Sequence, residues 1–277
     1  MTARRIRRLV TAQPASDGAG VRLNRSLGSA QLPDLDPFLL LDEFRSDDPN
    51  DYIAGFPEHP HRGFETVTYM LAGHMHHRDN QGNSGHLRPG SVQWMTAGRG
   101  LVHSEMPKQE NGLMWGFQLW VNLPAAQKLR DPRYQDIPPE QIPQWTSDAG
   151  VTIRLLAGSL QGREGPVRDV AVEPLYAELQ MPSGSGPFTV PVPAEHNGFV
   201  YVFEGSGRVG DAQLNTRQLG VLGPGDTLTL SPDTGGMRCL LAAGLPLKEP
   251  VARFGPFVMN RVEEIQQAVL DFESGRF

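Results

Sequence analysis

Glycine and proline set the first constraint on this chain: 31 glycines and 24 prolines make up about one in five of its 277 residues. Glycine supplies the positive dihedrals of tight turns, and proline removes a backbone donor. A chain punctuated this often leaves little room for long helices and suits many short strands. All-β is therefore the expected class. Hydrophobic residues reach 39%, enough at this length for the cores of two ordinary domains.

Charge excludes more than it assigns. The formal net charge is −6, and the arginines at 4, 5, 7 and 8 stand as a lone basic cluster. They read as the solvated edge of a first strand, and direct nucleic-acid binding is not expected. No apolar run follows them to make a signal peptide, and none approaches bilayer-spanning length, so no membrane role is expected. The single cysteine, Cys239, has no partner for an internal disulfide. That fits a reducing interior, and a cytoplasmic protein is the expectation.

Two segments repeat one pattern: strand, glycine turn, loop, Pro-Gly turn, strand. The first runs Glu65-Thr-Val-Thr-Tyr-Met-Leu-Ala-Gly73 and then Arg88-Pro-Gly-Ser-Val-Gln-Trp94. The second runs Gly198-Phe-Val-Tyr-Val-Phe-Glu-Gly205 and then Gly223-Pro-Gly-Asp-Thr-Leu-Thr229. Tyr69 and Gly73 align with Tyr201 and Gly205, and Pro89 aligns with Pro224. A repeat this long implies duplicated domains rather than a solenoid. The proline-rich stretch Asp131–Ser147 is the expected join, with domains at 1–134 and 135–277. One helix is expected at about 261–273, with Asn260 as cap and Glu263 completing a capping box. Val262, Ile265, Val269 and Phe272 would form its apolar stripe, and Gly275 would end it. A second short helix is expected over Ala125–Arg130.

The chemistry concentrates in two pairs. Side chains two apart in a strand share a face, so His59 and His61 stand together, as do His103 and Glu105. Pro60 favours an extended conformation at His59. On facing strands the four would converge on one point and hold a divalent transition metal: iron, manganese, nickel, copper or zinc. Four protein ligands leave a six-coordinate ion with open positions, the mark of a reaction site. Glu65 competes with Glu105 for the carboxylate position. His74-x-His76, followed by His77, has the same spacing but reads as part of a turn. Carried to the second half by the two repeat offsets, the four ligands fall on Pro191, Pro193, Arg238 and Leu240, none of them a plausible ligand. His196 reads as structural there. Only the first half is expected to bind metal.

These residues resemble the pirin family of the cupin superfamily. The stretches are Gly55-Phe-Pro-Glu-His-Pro-His-Arg-Gly-Phe-Glu-Thr-Val-Thr-Tyr69 and Gln93-Trp-Met-Thr-Ala-Gly-Arg-Gly-Leu-Val-His-Ser-Glu-Met-Pro107. Leu40-Leu-Asp-Glu-Phe44, Gly116-Phe-Gln-Leu-Trp-Val-Asn-Leu-Pro124 and Gly255-Pro-Phe-Val-Met-Asn260 add to them. The resemblance implies two cupin (jelly-roll-like) β-barrels facing each other, with Fe(II) in the N-terminal one. It implies His59, His61, His103 and Glu105 as the ligands, and it makes Glu65 a supporting residue behind them. Phe56 and Gln118 are expected near the pocket mouth. It further implies a quercetin 2,3-dioxygenase, in which oxygen splits a planar flavonol with loss of carbon monoxide and Glu105 serves as base. The alternative is a redox-sensitive metal-binding regulator that engages a protein partner.

Overall fold

In chain order the computed structural model places β1 (Ile6–Thr11), β2 (Gln13–Asp17), β3 (Val21–Leu27) and β4 (Phe38–Ser46) first. Then come β5 (Phe56–His61), β6 (Phe64–Ala72), β7 (Met75–Asp79), β8 (Ser84–Leu87), β9 (Val92–Thr96), β10 (Leu101–Pro107) and β11 (Met114–Asn122). After these run β12 (Arg133–Ile137), β13 (Gln144–Thr146), β14 (Thr152–Ala157), β15 (Ser159–Leu160), β16 (Arg163–Glu164), β17 (Leu175–Met181) and β18 (Phe188–Pro191). The last group is β19 (Asn197–Val209), β20 (Ala212–Asn215), β21 (Gln218–Leu222), β22 (Thr227–Gly244), β23 (Ala252–Phe254) and β24 (Phe257–Met259), before helix α1 (Val262–Glu273). The structure describes residues 1–109 and 111–277. The chain is all-β, as its turn density requires, with one α-helix among the described residues.

Two units divide the chain. The first comprises residues 14–25, 38–139 and 247–277, and the second 1–13, 26–37 and 140–246. The chain thus changes unit between Pro139 and Glu140, whereas the sequence suggested 134/135, and the termini are exchanged. β1 pairs antiparallel with β21 of the second unit. The C-terminal segment returns to the first unit, where Phe257 bridges to Arg62. Such pairings join strands far apart in sequence, and no local pattern announces them.

Each unit repeats one strand arrangement, as two separate sheets in the first and as a single nine-stranded sheet, continuous through β19 and β22, in the second. In the first, the large sheet runs β12-β9-β6-β11-β4-β3-β2, and in the second β1-β21-β19-β22-β17-β14-β13. The first unit's smaller sheet runs β5-β10-β7-β8. The second repeats that order with β18, the start of β22, the end of β19, and β20. Two long strands, β19 and β22, each do the work of two in the first unit.

This correspondence corrects the ligand counterparts. Tyr69 pairs with Val92 and Phe117, and Tyr201 with Leu219 and Leu240, so the two tyrosines are equivalent. Counting outward along the paired strands, His59, His61, His103 and Glu105 correspond to Phe188, Val190, Leu230 and Pro232, rather than Pro191, Pro193, Arg238 and Leu240. The Pro-Gly turns misled the alignment. Pro89-Gly90 precedes β9, but Pro224-Gly225 follows β21, one strand later. The smaller error, over β5 and β18, comes from applying the offset of one strand to its neighbour, whose connecting turn differs in length.

Helix α1 is capped one residue later than expected, by Arg261 rather than Asn260. The Glu264 carboxylate, not that of Glu263, accepts from the backbone N–H groups of Asn260 (3.0 Å) and Arg261 (2.9 Å). Ile265 and Ala268 are its buried residues, while Val262 is 62% exposed, so the buried stripe is narrower than expected. Gly275, at φ +66°, ends the helix as foreseen, since this conformation costs a glycine little. The expected helix over Ala125–Arg130 is a single 3-10 turn, Ala125–Gln127.

Candidate metal centre

β5 and β10 run antiparallel, with His59 directly opposite His103 and His61 opposite Leu101. A register shift between His103 and Glu105 sets the carboxylate opposite Phe56. Irregularities of this kind re-aim a side chain at a site. Gly63 allows the turn out of β5. At φ +87° it lies where a Cβ would collide with the Val258 carbonyl of β24.

The three imidazoles converge. One ligand atom from each of His59, His61 and His103 lies within 4.8 Å of the other two. Their ring centroids are 4.5–5.0 Å apart. Glu105 Oε2 stands 4.0 Å from His103 Nε2. His61, His103 and Glu105 are all buried.

The polar atoms show what this cluster can hold. His59 Nδ1 pairs with the Pro57 carbonyl at 2.7 Å, which leaves Nε2 for the centre. His61 Nδ1 and both nitrogens of His103 are buried without a hydrogen-bond partner. Such atoms are costly unless something satisfies them. Burial, then the neighbouring histidines, holds His61 and His103 well below the ordinary imidazole pKa, so both rings are neutral donors. Three imidazoles and a carboxylate suit a divalent transition metal. The cluster is capable of binding one.

The carboxylate is braced. Thr68 Oγ1 lies 3.1 Å from Glu105 Oε1 and 2.7 Å from Gln118 Oε1, and its hydroxyl can donate to either. Burial pushes the Glu105 carboxyl up, against the pull of His59, Thr68 and His77. Glu65 is not brought to the cluster. It lies three residues from Thr68 and so on the opposite face of β6. There its oxygens accept from Thr96 (2.7 Å) and Trp94 (3.0 Å).

A cavity of about 510 Å³ opens beside the cluster, with His59, His61 and Glu105 in its lining. Phe56 and Gln118 line it, as do Leu23, Phe44, Met75 and Trp120, which sequence reasoning had not assigned. Trp120 and Phe64 pack edge-on against His61, with centroids 5.5 and 5.2 Å away. Asp42 also reaches the cavity. Its buried carboxylate takes two hydrogen bonds from Arg25, at 2.8 and 2.7 Å. A signal for it was present, since an acid inside the apolar run Leu39-Leu-Leu-Asp42 needs a partner if buried. His74, His76 and His77 lie outside the triad, and His77 bonds Asp136 at 3.0 Å.

With this geometry in place, comparison with known proteins places the chain. The pirin model matches residues 20–121, and the model for the pirin C-terminal cupin domain matches 176–277. The chain belongs to the pirin family. A pirin-like protein of Caulobacter vibrioides is 48% identical over the full length of both chains. Human pirin is 42% identical across 96% of this chain and 91% of its own. A crystal structure of quercetin 2,3-dioxygenase from Acinetobacter baumannii superposes with a TM-score of 0.92 and 32% identity. It covers 99% of this chain and 98% of that one. No helix among the described residues is long and apolar enough to cross a membrane.

Proposed function

We propose that this pirin is a metal-dependent dioxygenase, with Fe(II) as its ion, that opens a flavonol such as quercetin with molecular oxygen. One observation carries the reading: a cluster of imidazoles with buried, unpartnered nitrogens adjoins a largely apolar cavity of drug-like size, which His59, His61 and Glu105 help to line. The name of the Acinetobacter structure supports the same chemistry. His59, His61, His103 and Glu105 would hold the ion. When bound, it would supply the Lewis-acid and one-electron chemistry that reaction with oxygen requires.

The rest falls to the chain's own groups. Leu23, Phe44, Phe56, Met75 and Trp120 offer apolar surface for a planar ring system and exclude water from it. Thr68 lies within hydrogen-bond reach of Glu105 Oε1, so Oε2, the oxygen facing His103, would hold the ion and, on loosening from it, accept the proton of the flavonol hydroxyl. We further propose a cytoplasmic setting, where the buried thiol of Cys239 stays reduced. A regulator that engages a protein partner would use the same four ligands. The cavity favours turnover, because a redox sensor needs no room for a substrate.

The test mixes Fe(II)-loaded protein with quercetin anaerobically and then admits air. Flavonol absorbance should fall, with carbon monoxide released, only when metal and oxygen are both present. Loss that survives metal removal, or no loss at all, would defeat the proposal. In the second case, redox-dependent capture of a protein partner would favour the regulator.

A further inference from the structure

The motif His74-x-His76 takes no part in the proposed reaction, yet the structure joins to it a residue far enough away to escape the sequence pattern. β7 and β8 form an antiparallel hairpin in which His76 stands opposite His86. His74, two residues before His76, shares its face if the segment is extended. His74 Nε2 and His86 Nδ1 lie 3.0 Å apart. The His76 ring stacks on that of His86, with centroids 4.6 Å apart and planes at 27°. The face they share is open, since His86 is exposed and the other two are half-buried.

We propose that His74 and His86, with His76 beside them, form a second, surface site for a borderline divalent transition metal such as Zn(II), Ni(II) or Cu(II). Two imidazole nitrogens at about 2.0–2.1 Å from one ion stand about 2.9–3.4 Å apart, for octahedral and tetrahedral angles respectively. The observed separation falls in that window. Each ring must offer a lone pair, so the protons belong on His74 Nδ1 and His86 Nε2. The neutral form is already favoured at His74 and His76. Burial, then the charges of His86 and Lys108, lowers the pKa of His74. Burial, then Lys108 and His86, lowers that of His76.

The site is looser than the deep one. Among the described residues only His59, His61 and His103 already close to within 4.8 Å as a group of three. Here two nitrogens are set, and His76 supplies a third by turning its ring, with water completing the shell. The positive charge of Lys108 opposes an incoming cation, which sets the affinity below that of the buried triad. Imidazole donors also exclude the hard cations Mg(II) and Ca(II) as occupants.

The rival account is a plain imidazole–imidazole hydrogen bond, which takes up no metal. Tag-free, metal-stripped full-length protein titrated with Zn(II) by calorimetry separates the two. Wild type should bind two ions per chain, one tightly and one more weakly. His86→Gln should weaken the second event by at least about tenfold and leave the first unchanged. The double variant His59→Ala/His103→Ala should do the reverse. Uptake of a single ion by wild type, or an undiminished second event in His86→Gln, overturns the proposal. Equal melting temperatures of metal-free wild type and His86→Gln establish that the fold is intact.

Discussion

Tyr69 and Tyr201 occupy the same station in the two units, and the rows beside them differ in polarity at every step. Across β6, β11 and β4 of the first unit run Thr68, Gln118 and Asp42, each opposite the next. The corresponding row of the second unit is Val200, Leu241 and Ala177. The cluster positions His59, His61 and His103 become Phe188, Val190 and Leu230. All six replacements belong to one apolar cluster. One scaffold therefore either holds a site or fills itself, and the choice rests on about half a dozen inward side chains rather than on topology. A barrel interior lined with polar groups must satisfy them, through Arg25 on Asp42, Thr68 on Glu105 and, in the proposed function, an ion on the imidazoles. A closed apolar interior has no such requirement.

The largest effect should come from giving the first unit the filling of the second. The triple variant His59→Phe/His61→Val/His103→Leu is expected to lose transition-metal affinity by more than about 100-fold, beyond what outer partners of a metal site usually contribute. Flavonol consumption should go with it. Its metal-free form should melt no lower than metal-free wild type, because buried imidazoles without partners have been replaced by apolar groups. Calorimetry and a thermal scan check both halves. A triple variant that kept the tight binding event, as distinct from the weaker uptake proposed at His74 and His86, would place the site elsewhere.

The reverse exchange should cost stability and gain nothing. Leu241→Gln puts the counterpart of Gln118 among Val200, Ala177 and their neighbours, where the apolar cluster offers its amide no partner. A loss of about 2–4 kcal/mol is expected, read as a lower denaturant midpoint. A variant as stable as wild type would show that the second interior tolerates polar groups, and the contrast between the units would weaken.

The clustering of these side chains was legible because strand parity needs only neighbours two apart: His59 with His61, and His103 with Glu105. The all-β class was legible from turn density, and the repeat from Tyr69 and Tyr201. What failed was everything that depends on the register between distant strands. Thr68 meets Glu105 across 37 residues, and Arg25 meets Asp42 only because β3 and β4 lie side by side. Glu65 kept its candidacy until the pairing of β6 with β9 put its oxygens on Trp94 and Thr96. The Pro-Gly turns looked equivalent because any strand entry accepts them, and only the order of strands told them apart. The exchange of termini was invisible for the same reason.

The units differ also in how they are closed, since the one α-helix among the described residues belongs to the first. α1 is fastened by Asp271, whose carboxylate bonds Arg62 at 2.7 Å, Arg276 at 2.7 Å and Gln267 at 2.8 Å. Arg62 directly follows His61 of the imidazole cluster, so this fastening reaches the end of β5. Arg62 first, then Arg276, holds the Asp271 carboxyl well below the usual carboxylate range. Arg99 and Glu264 complete the charged surroundings, and no histidine lines this cleft. A depressed carboxylate pKa contributes stability in full above the unfolded value of about 3.9, and the contribution is lost as pH falls through the folded value. Asp271→Asn should therefore lower stability modestly, by about 1–2 kcal/mol. The gap in melting temperature between it and wild type should stay constant from pH 7 to about 4.5, then narrow only in stronger acid. A gap that closed near pH 6 would assign the fastening to a histidine instead of Asp271.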